Sequence, residues 1–251
     1  MKYLNKRNIK KFLSIGILFL VSVIFGGCGA SMKGVRVDKS FTYQSVVSSQ
    51  MVVGGVTSVI SDIQLDESNM LSNLLKTYFL ERRENYKLMP TGVVSNKLGE
   101  KPYKDLLEEY KNNGALSEKS INVLREKTNG VKYIAFVRIE SDDITKSRNE
   151  IKVKKSADQM ESKVTRSVSV SMTIYDINSN IIAWSGTGST SKTNTSKYDI
   201  ETDNALVALV KVAAGTKEKS IDEKYPFPQE PNLKDVLERI FDTFADNMPE
   251  E

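Results

Sequence analysis

Hydrophobic positions recur along this chain with several different periods. Phe12 to Phe25 is a predominantly apolar run of 14 residues, short of the ~20 that a helix needs to span a bilayer. Met51 to Ile60, MVVGGVTSVI, is apolar and β-branched and predicts a buried strand, with Gly54-Gly55 marking a bulge or a close backbone approach. Leu71, Leu74, Leu75, Tyr78 and Phe79 then recur at helical spacing, and Asp66 or Ser68 can cap that helix. Tyr86 to Met89 reads as a short strand closed by Pro90. Tyr103 to Tyr110 reads as a helix stopped by Asn112-Asn113-Gly114, and Ser117 caps another that runs through Lys127. Val131 to Glu140 is apolar on both faces for most of its length, which predicts a central strand.

Period two is clearest from Val164 to Ile177. Val164, Val168, Val170, Met172 and Ile174 point one way, and Thr165, Ser167, Ser169, Ser171, Thr173 and Tyr175 the other. Asp176 to Asn180 makes a turn, and Ile181 to Thr190 returns as the partner strand carrying Trp184. This hairpin presents one face to a core and a Ser/Thr face to water or a partner. Thr202 to Ala214 has a helical pattern, Pro226, Pro228 and Pro231 make a stiff connector, and Leu233 to Asn247 is an amphipathic C-terminal helix. Two polar stretches lie between these elements. Gly29 to Gln50 reads as a tether, and the charged Ser141 to Lys163 as either a flexible loop or a long exposed hairpin.

The first apolar run sorts the chain. Lys2, Lys6, Arg7, Lys10 and Lys11 precede it, with no acidic residue, and Gly26-Gly27 follow before Cys28. A basic start, a short apolar run and small residues describe a secretory signal peptide. The sequence around Cys28 resembles the lipobox of bacterial lipoproteins, although Phe25 stands where leucine is usual. That resemblance implies cleavage before Cys28, acylation of Cys28 and anchoring in a membrane. Gly29 lacks the aspartate associated with inner-membrane retention, so the expected place is the outer membrane, facing the periplasm. The expected plan is a signal peptide at 1–27, an acylated Cys28 with a polar tether over 28–50, and one α/β domain over 51–251 with its C-terminal helix at 233–247.

Composition then narrows the chemistry. The formal charge of the whole chain is +4, from 36 Lys and Arg against 32 Asp and Glu. Five of those cations lie in 1–27, so residues 28–251 carry 31 against 32, a net charge of −1. A near-neutral surface gives no long-range pull on phosphate, and no nucleic acid is expected. The chain holds one cysteine and no histidine, which removes internal disulfides, histidine-based triads and the commonest zinc ligands. No metal, cofactor or catalytic residue is assigned.

The remaining motifs weaken on inspection. Gly186 to Thr193, GTGSTSKT, approaches a phosphate-binding loop, but Ser191 stands where the second glycine belongs and no helix pattern follows. No nucleotide is expected. Ser189-Thr190-Ser191-Lys192 has the S-x-x-K spacing of serine–lysine acyl enzymes without their other elements. Asp142-Asp143, Glu108-Glu109 and Glu81 with Glu84 are carboxylate pairs, whereas glycoside hydrolysis needs two carboxyls facing across a cleft.

Two stretches carry a family resemblance. Gly130-Val131-Lys132-Tyr133-Ile134-Ala135-Phe136-Val137 is similar to a G-A-D-Y-hydrophobic lead-in to a central strand. Ser169 to Ser185 is similar to a hairpin of pattern D-x-x-T-G-x-hydrophobic-x-W/Y-S, in which Asp176 and Trp184 match while Ser179 and Asn180 replace Thr-Gly. Together they resemble the α/β domain of bacterial lipoproteins related to the curli-secretion protein CsgG, the TolB N-terminal domain and the activator LpoB. The resemblance covers roughly residues 51 to 190 and implies a mixed sheet of about five strands with helices packed on it. It transfers no functional residue. The expected role is a non-enzymatic accessory lipoprotein that binds another envelope protein or assembles with itself. Its expected contact surfaces are the Ser/Thr face and the C-terminal helix, with Tyr175 and Trp184 as contact residues. A CsgG-like oligomeric export channel and a carboxylate-based glycan hydrolase are the alternatives.

Overall fold

The structure, a computed structural model, describes residues 30–152, 158–200 and 220–251. The leader, Cys28 and the helix expected over Thr202 to Ala214 lie outside the described residues. The strand-forming stretches all enter one mixed sheet: β1 (Ser31–Val37), β2 (Gln50–Ser58), β3 (Lys87–Leu88), β4 (Val131–Ile151), β5 (Gln159–Asp176) and β6 (Ile181–Asp199). Their spatial order is β1-β6-β5-β4-β2-β3. β2 runs parallel to β3 and β4, and the other neighbours are antiparallel. The helices are α1 (Tyr43–Val47), α2 (Leu65–Arg82), α3 (Val93–Leu98), α4 (Glu100–Asn113), α5 (Glu118–Lys127), α6 (Ile221–Lys224) and α7 (Leu233–Asp246).

Both faces of the inner sheet are covered. On one face α2 and α7 bury Leu75, Phe79, Ile240 and Phe244 against Val137, Val170, Met172 and Trp184. On the other α3, α4 and α5 bury Val94, Tyr103, Tyr110 and Leu124 against Ile134, Phe136 and Tyr175. This double covering is why β4 is apolar on both sides over its first half. The two cores stabilise the fold chiefly through apolar area removed from water.

Local chemistry sets several element ends. The α4 helix stops where Gly114 takes φ +67°, a left-handed conformation that glycine tolerates. Ser117 caps α5 by accepting a bond from the Ser120 amide. In the β5–β6 turn the Asp176 carboxylate accepts from the amides of Asn178 (3.0 Å) and Ser179 (3.1 Å). Asn180 supplies the positive φ, 56°, where the resembled pattern has glycine.

Three expectations change. The stretch read as a tether is folded: β1 pairs with β6, and Phe41 and Val46 on either side of Thr42 are 2% and 0% exposed. An edge strand needs little inward apolar area, so its composition resembled a linker. β1 is also the sixth strand that the pattern missed. The charged stretch from Ser141 to Lys163 is the hairpin and not the loop, with paired register from Ser141↔Ser169 out to Ile151↔Gln159. Finally, neither Asp66 nor Ser68 caps α2. Gln64 occupies that position, and the buried Ser68 hydroxyl bonds across to β2, donating to the Val56 carbonyl (2.8 Å) and accepting from its amide (3.0 Å).

The Gly54-Gly55 pair does mark a bulge, a shift in the β2–β4 register between Val53 and Gly55. A Cβ on Gly54 would lie 2.5 Å from Cζ of Phe136, and one on Gly55 would lie 2.6 Å from Leu107. Tyr103 donates its hydroxyl to the Gly54 carbonyl at 2.7 Å, which pins the helix layer to the bulge. Gly54→Ala is expected to lower stability by about 1–3 kcal/mol, the usual cost of overpacking. A urea titration would show this as a lower midpoint at unchanged slope, and an unchanged midpoint would mean that the bulge can relax.

Candidate interaction surface

Beyond Ile139 the sheet outruns α3, α4 and α5, the helices that cover its Ser/Thr face. The outer half of β4, the start of β5 and the end of β6 form a three-stranded antiparallel arm, in register from Ser141↔Ser169↔Ser189 to Ile151↔Gln159↔Asp199. Strand alternation divides its side chains between two faces.

One face is strapped by residues 225–232. The Tyr225 carbonyl accepts from Arg148 Nε (3.0 Å) and the Ser162 hydroxyl (3.3 Å), and the Pro226 carbonyl accepts from the Tyr198 hydroxyl (2.8 Å). The Gln229 carbonyl accepts from Asn194 (2.7 Å) and the Pro231 carbonyl from Arg166 (3.2 Å). The Arg148 guanidinium also lies 3.9 Å from the centre of the Phe227 ring and 2.5 Å from Asp222 of α6. A proline-rich segment is poor in N–H donors and rich in carbonyl acceptors, and this face of the arm is lined with donors. That match explains how so charged a stretch stays ordered.

The other face is open and made of hydroxyls. Its cross-strand rows are Ser141–Ser169–Ser189, Asp143–Ser167–Ser191, Thr145–Thr165–Thr193 and Ser147–Lys163–Thr195. Thr165 and Thr193 share a hydrogen bond of 2.8 Å. Thr145, Ser147, Ser191, Thr193 and Thr195 are exposed. Towards the tip, Glu161 lies between Lys163 and Lys197, 3.9 Å from the latter. Neighbouring strands stand ~4.8 Å apart and same-face residues ~6.7 Å apart along a strand, so the surface is a regular array of donors and acceptors. Among the described residues no strand pairs with the outer edge of β4 beyond Ser141, nor with that of β6 beyond Ser189.

The expected site residues divide. The Ser/Thr face is open, as expected of its outer half, but its inner end is covered: Thr173 and Tyr175 lie beneath α4 and α5. Tyr175 is 1% exposed, and its hydroxyl accepts from the Leu116 amide at 2.9 Å. Trp184 is 0% exposed and meets Phe244 edge-on at 5.9 Å. Both are packing residues, so the expectation that they touch a partner is corrected. The C-terminal helix is corrected likewise, because α7 spends its apolar face on the sheet through Val236, Leu237, Ile240, Phe241 and Phe244. Cys28, the expected lipidation site, lies outside the described residues.

The other motifs resolve into structure. Gly186 and Gly188 sit mid-strand, where a Cβ would come within 2.9 Å of Met32 and 2.7 Å of Ile240, respectively. They give α7 and β1 room to approach and form no phosphate loop. Lys192 pairs with Asp235 at 2.5 Å. The carboxylate pairs do not face each other. Asp142 points to the strapped face, bound by Arg166 through both oxygens, while Asp143 points to the open one. Glu109 accepts from the Ser117 amide at 2.6 Å and from Ser120 at the start of α5, whereas Glu108 is exposed on α4. Burial pulls the Glu109 carboxyl upwards, but those hydrogen bonds outweigh it and hold it below the ordinary range. Hydrogen bonds from Lys111 and Lys192 likewise lower Asp62 and Asp235. A general acid for glycoside hydrolysis needs the opposite shift. Among the described residues no group of acids is placed to hold a metal ion, and no helix is long and apolar enough to cross a membrane.

The sequence matches no protein-family model and no curated protein. Solved structures with a similar chain path include the lipoprotein GNA1162 from Neisseria meningitidis, at 12% identity and TM-score 0.33, covering 66% of this chain and 94% of that one. The PelC dodecamer from Paraburkholderia phytofirmans is similar at 10% identity and TM-score 0.32 over 73% and 91%. The LpoB C-terminal domain from Salmonella enterica is similar at 13% identity and TM-score 0.33 over 61% and 98%. At these scores the likeness identifies no shared site.

The buried phenols give this region a pH signature. Burial pushes Tyr175 up to about 12 and Tyr103 up to about 12. An unfolded tyrosine loses its proton near pH ~10. The stabilisation is therefore fully present below pH ~10 and is lost as pH rises towards ~12. Urea midpoints measured across that window should fall, and Tyr175→Phe should reduce the fall. A midpoint constant from pH ~10 to ~12 would contradict the burial of these phenols.

Proposed function

We propose that this chain is a lipid-anchored envelope protein, non-enzymatic, that acts by holding another envelope protein on the open face of its arm. The observation that carries the reading is the regular hydroxyl array of Thr145, Thr165, Thr193 and their neighbours, built on paired strands and, among the described residues, strapped from behind. Such a face costs little to desolvate when a partner's backbone or polar side chains replace water, because each hydroxyl can donate or accept. The unpaired arm edges offer the same partner main-chain hydrogen bonds. The leader and Cys28 support anchoring by acylation, and Gly29 supports the outer membrane, facing the periplasm.

The array also weighs against an export channel. Lipid-facing strands need an apolar position at every second residue, whereas one arm face is Ser/Thr and the other carries Asp142, Lys146, Arg148 and Arg166. A photo-crosslinking amino acid placed singly at Thr145, Thr165 and Thr193, in cells, tests the proposal. One discrete partner adduct at all three positions is the expected result. A ladder of self-adducts would make the partner a second copy of the chain. Adducts from a helix position such as Lys119 but none from the three arm positions would overturn the assignment of the face.

A further inference from the structure

The edge strand β1 begins three residues after Cys28, and that short spacing limits how the folded domain can sit on a membrane. Only Gly29 and Ala30 separate Cys28 from Ser31. Three Cα steps reach about 11 Å at full stretch. No long tether lifts the domain away. If Cys28 is acylated, as the proposed function holds, the start of β1 lies at the headgroup layer.

The chemistry of β1 suits that position. It is the outermost strand of the sheet, and among the described residues only β6 pairs with it. Lys33, Arg36 and Lys39 are exposed, and none of the ion pairs among the described residues involves them. The one acid between residues 28 and 40 is Asp38, which is occupied by the amide (2.8 Å) and hydroxyl (2.7 Å) of Ser40. Val35 and Val37 are 40% and 51% exposed on the same strand. Cations beside exposed valines fit a surface with anionic phosphates above an apolar layer.

Strand addition by a second chain is the competing use of an open edge. Here the edge is blunted against it. The β1–β6 register shifts between Lys33 and Arg36, Gly34 takes φ +62°, and the bulge carries basic side chains. Bulges and lysines are the ordinary devices that prevent edge pairing.

We propose that the β1 edge, through Lys33, Val35, Arg36, Val37 and Lys39, is a membrane-contact strip that binds anionic phospholipid headgroups. The sheet then stands on this edge with β3 uppermost, five strand spacings or about 24 Å away. β1 runs antiparallel to β6, with Ser31 opposite Ser189 and Val37 opposite Trp184, so the start of β1 is its end nearest the arm. The arm therefore lies along the membrane, with its open face at the level of other membrane-anchored proteins. This inference rests on the acylation of Cys28 in the proposed function, and not on which partner the arm holds.

The test uses full-length acylated protein in phosphatidylcholine vesicles containing phosphatidylglycerol and a headgroup-nitroxide lipid. Cys28 is the only cysteine, so once acylated it leaves a single reactive thiol in Val35→Cys or in Lys87→Cys, which sits on the opposite sheet edge. A fluorophore on Val35→Cys should be quenched several-fold more than one on Lys87→Cys. Combining Lys33→Glu, Arg36→Glu and Lys39→Glu should bring the two towards equality while vesicle binding through the acyl chains persists. Equal quenching in the parent protein, or stronger quenching at Lys87→Cys, overturns the strip and leaves the anchor standing. A quenching ratio unmoved by the triple charge reversal removes the headgroup recognition. Mass spectrometry showing unmodified Cys28 in soluble protein overturns this inference and the anchor together.

Discussion

The structure depends on one long antiparallel ladder. β4, β5 and β6 stay hydrogen-bonded from the turn at Asp176 to the far end of the arm, interrupted by single register shifts near Ile139 and Ile174. Within the first half, helices cover both faces and the ladder is the centre of two cores. In the second half α3, α4 and α5 no longer cover the ladder, and among the described residues its buried apolar side chains thin to Val168 and Val164 on the strapped face. Everything distinctive in this protein follows from where that support stops.

Two substitutes for a core hold the outer half. The strap at 225–232 supplies carbonyl acceptors to Arg148 Nε, Ser162, Tyr198, Asn194 and Arg166, which leaves Arg148 Nη2 as the buried donor on this face without a partner among the described residues. The Arg166–Asp142 pair, with each side chain less than one-fifth exposed, adds a bidentate contact beneath it. Hydrogen bonds of this kind contribute about 1 kcal/mol each, so the arm is held by their number. The inner half relies on close approach instead. A Cβ on Gly55 or Gly188 would collide with the helix layers at Leu107 and Ile240, and one on Gly54 or Gly186 with Phe136 and Met32 of neighbouring strands.

This division of labour separates stability from recognition. The aromatic residues that look most like binding anchors, Tyr175 and Trp184, sit in the two cores, one under each helix layer. The surfaces left for recognition are polar: a hydroxyl array on the arm and a basic edge at β1. The proposed membrane contact and the proposed partner contact lie on different parts of the sheet, so both can be occupied at once.

Much of this was legible from residues alone. Period two from Val164 to Ile177, the apolar run of β4, the glycine pair of β2 and the cap at Ser117 each encode local geometry that neighbouring residues impose on one another. The Ser/Thr face was legible for the same reason, since strand alternation assigns sides without reference to the rest of the fold. The sequence likewise shows no histidine and a single cysteine, which removes histidine-based triads and internal disulfides. Only the tertiary structure decided which alternating residues stay exposed, because that depends on where α4 and α5 end over the sheet. It alone turned the polar segment after Cys28 into an edge strand, since an edge needs a partner strand more than it needs apolar residues. It alone showed that the charged stretch after Ser141 is a hairpin, because the strap whose carbonyls satisfy those charges comes from about 75 residues further along the chain.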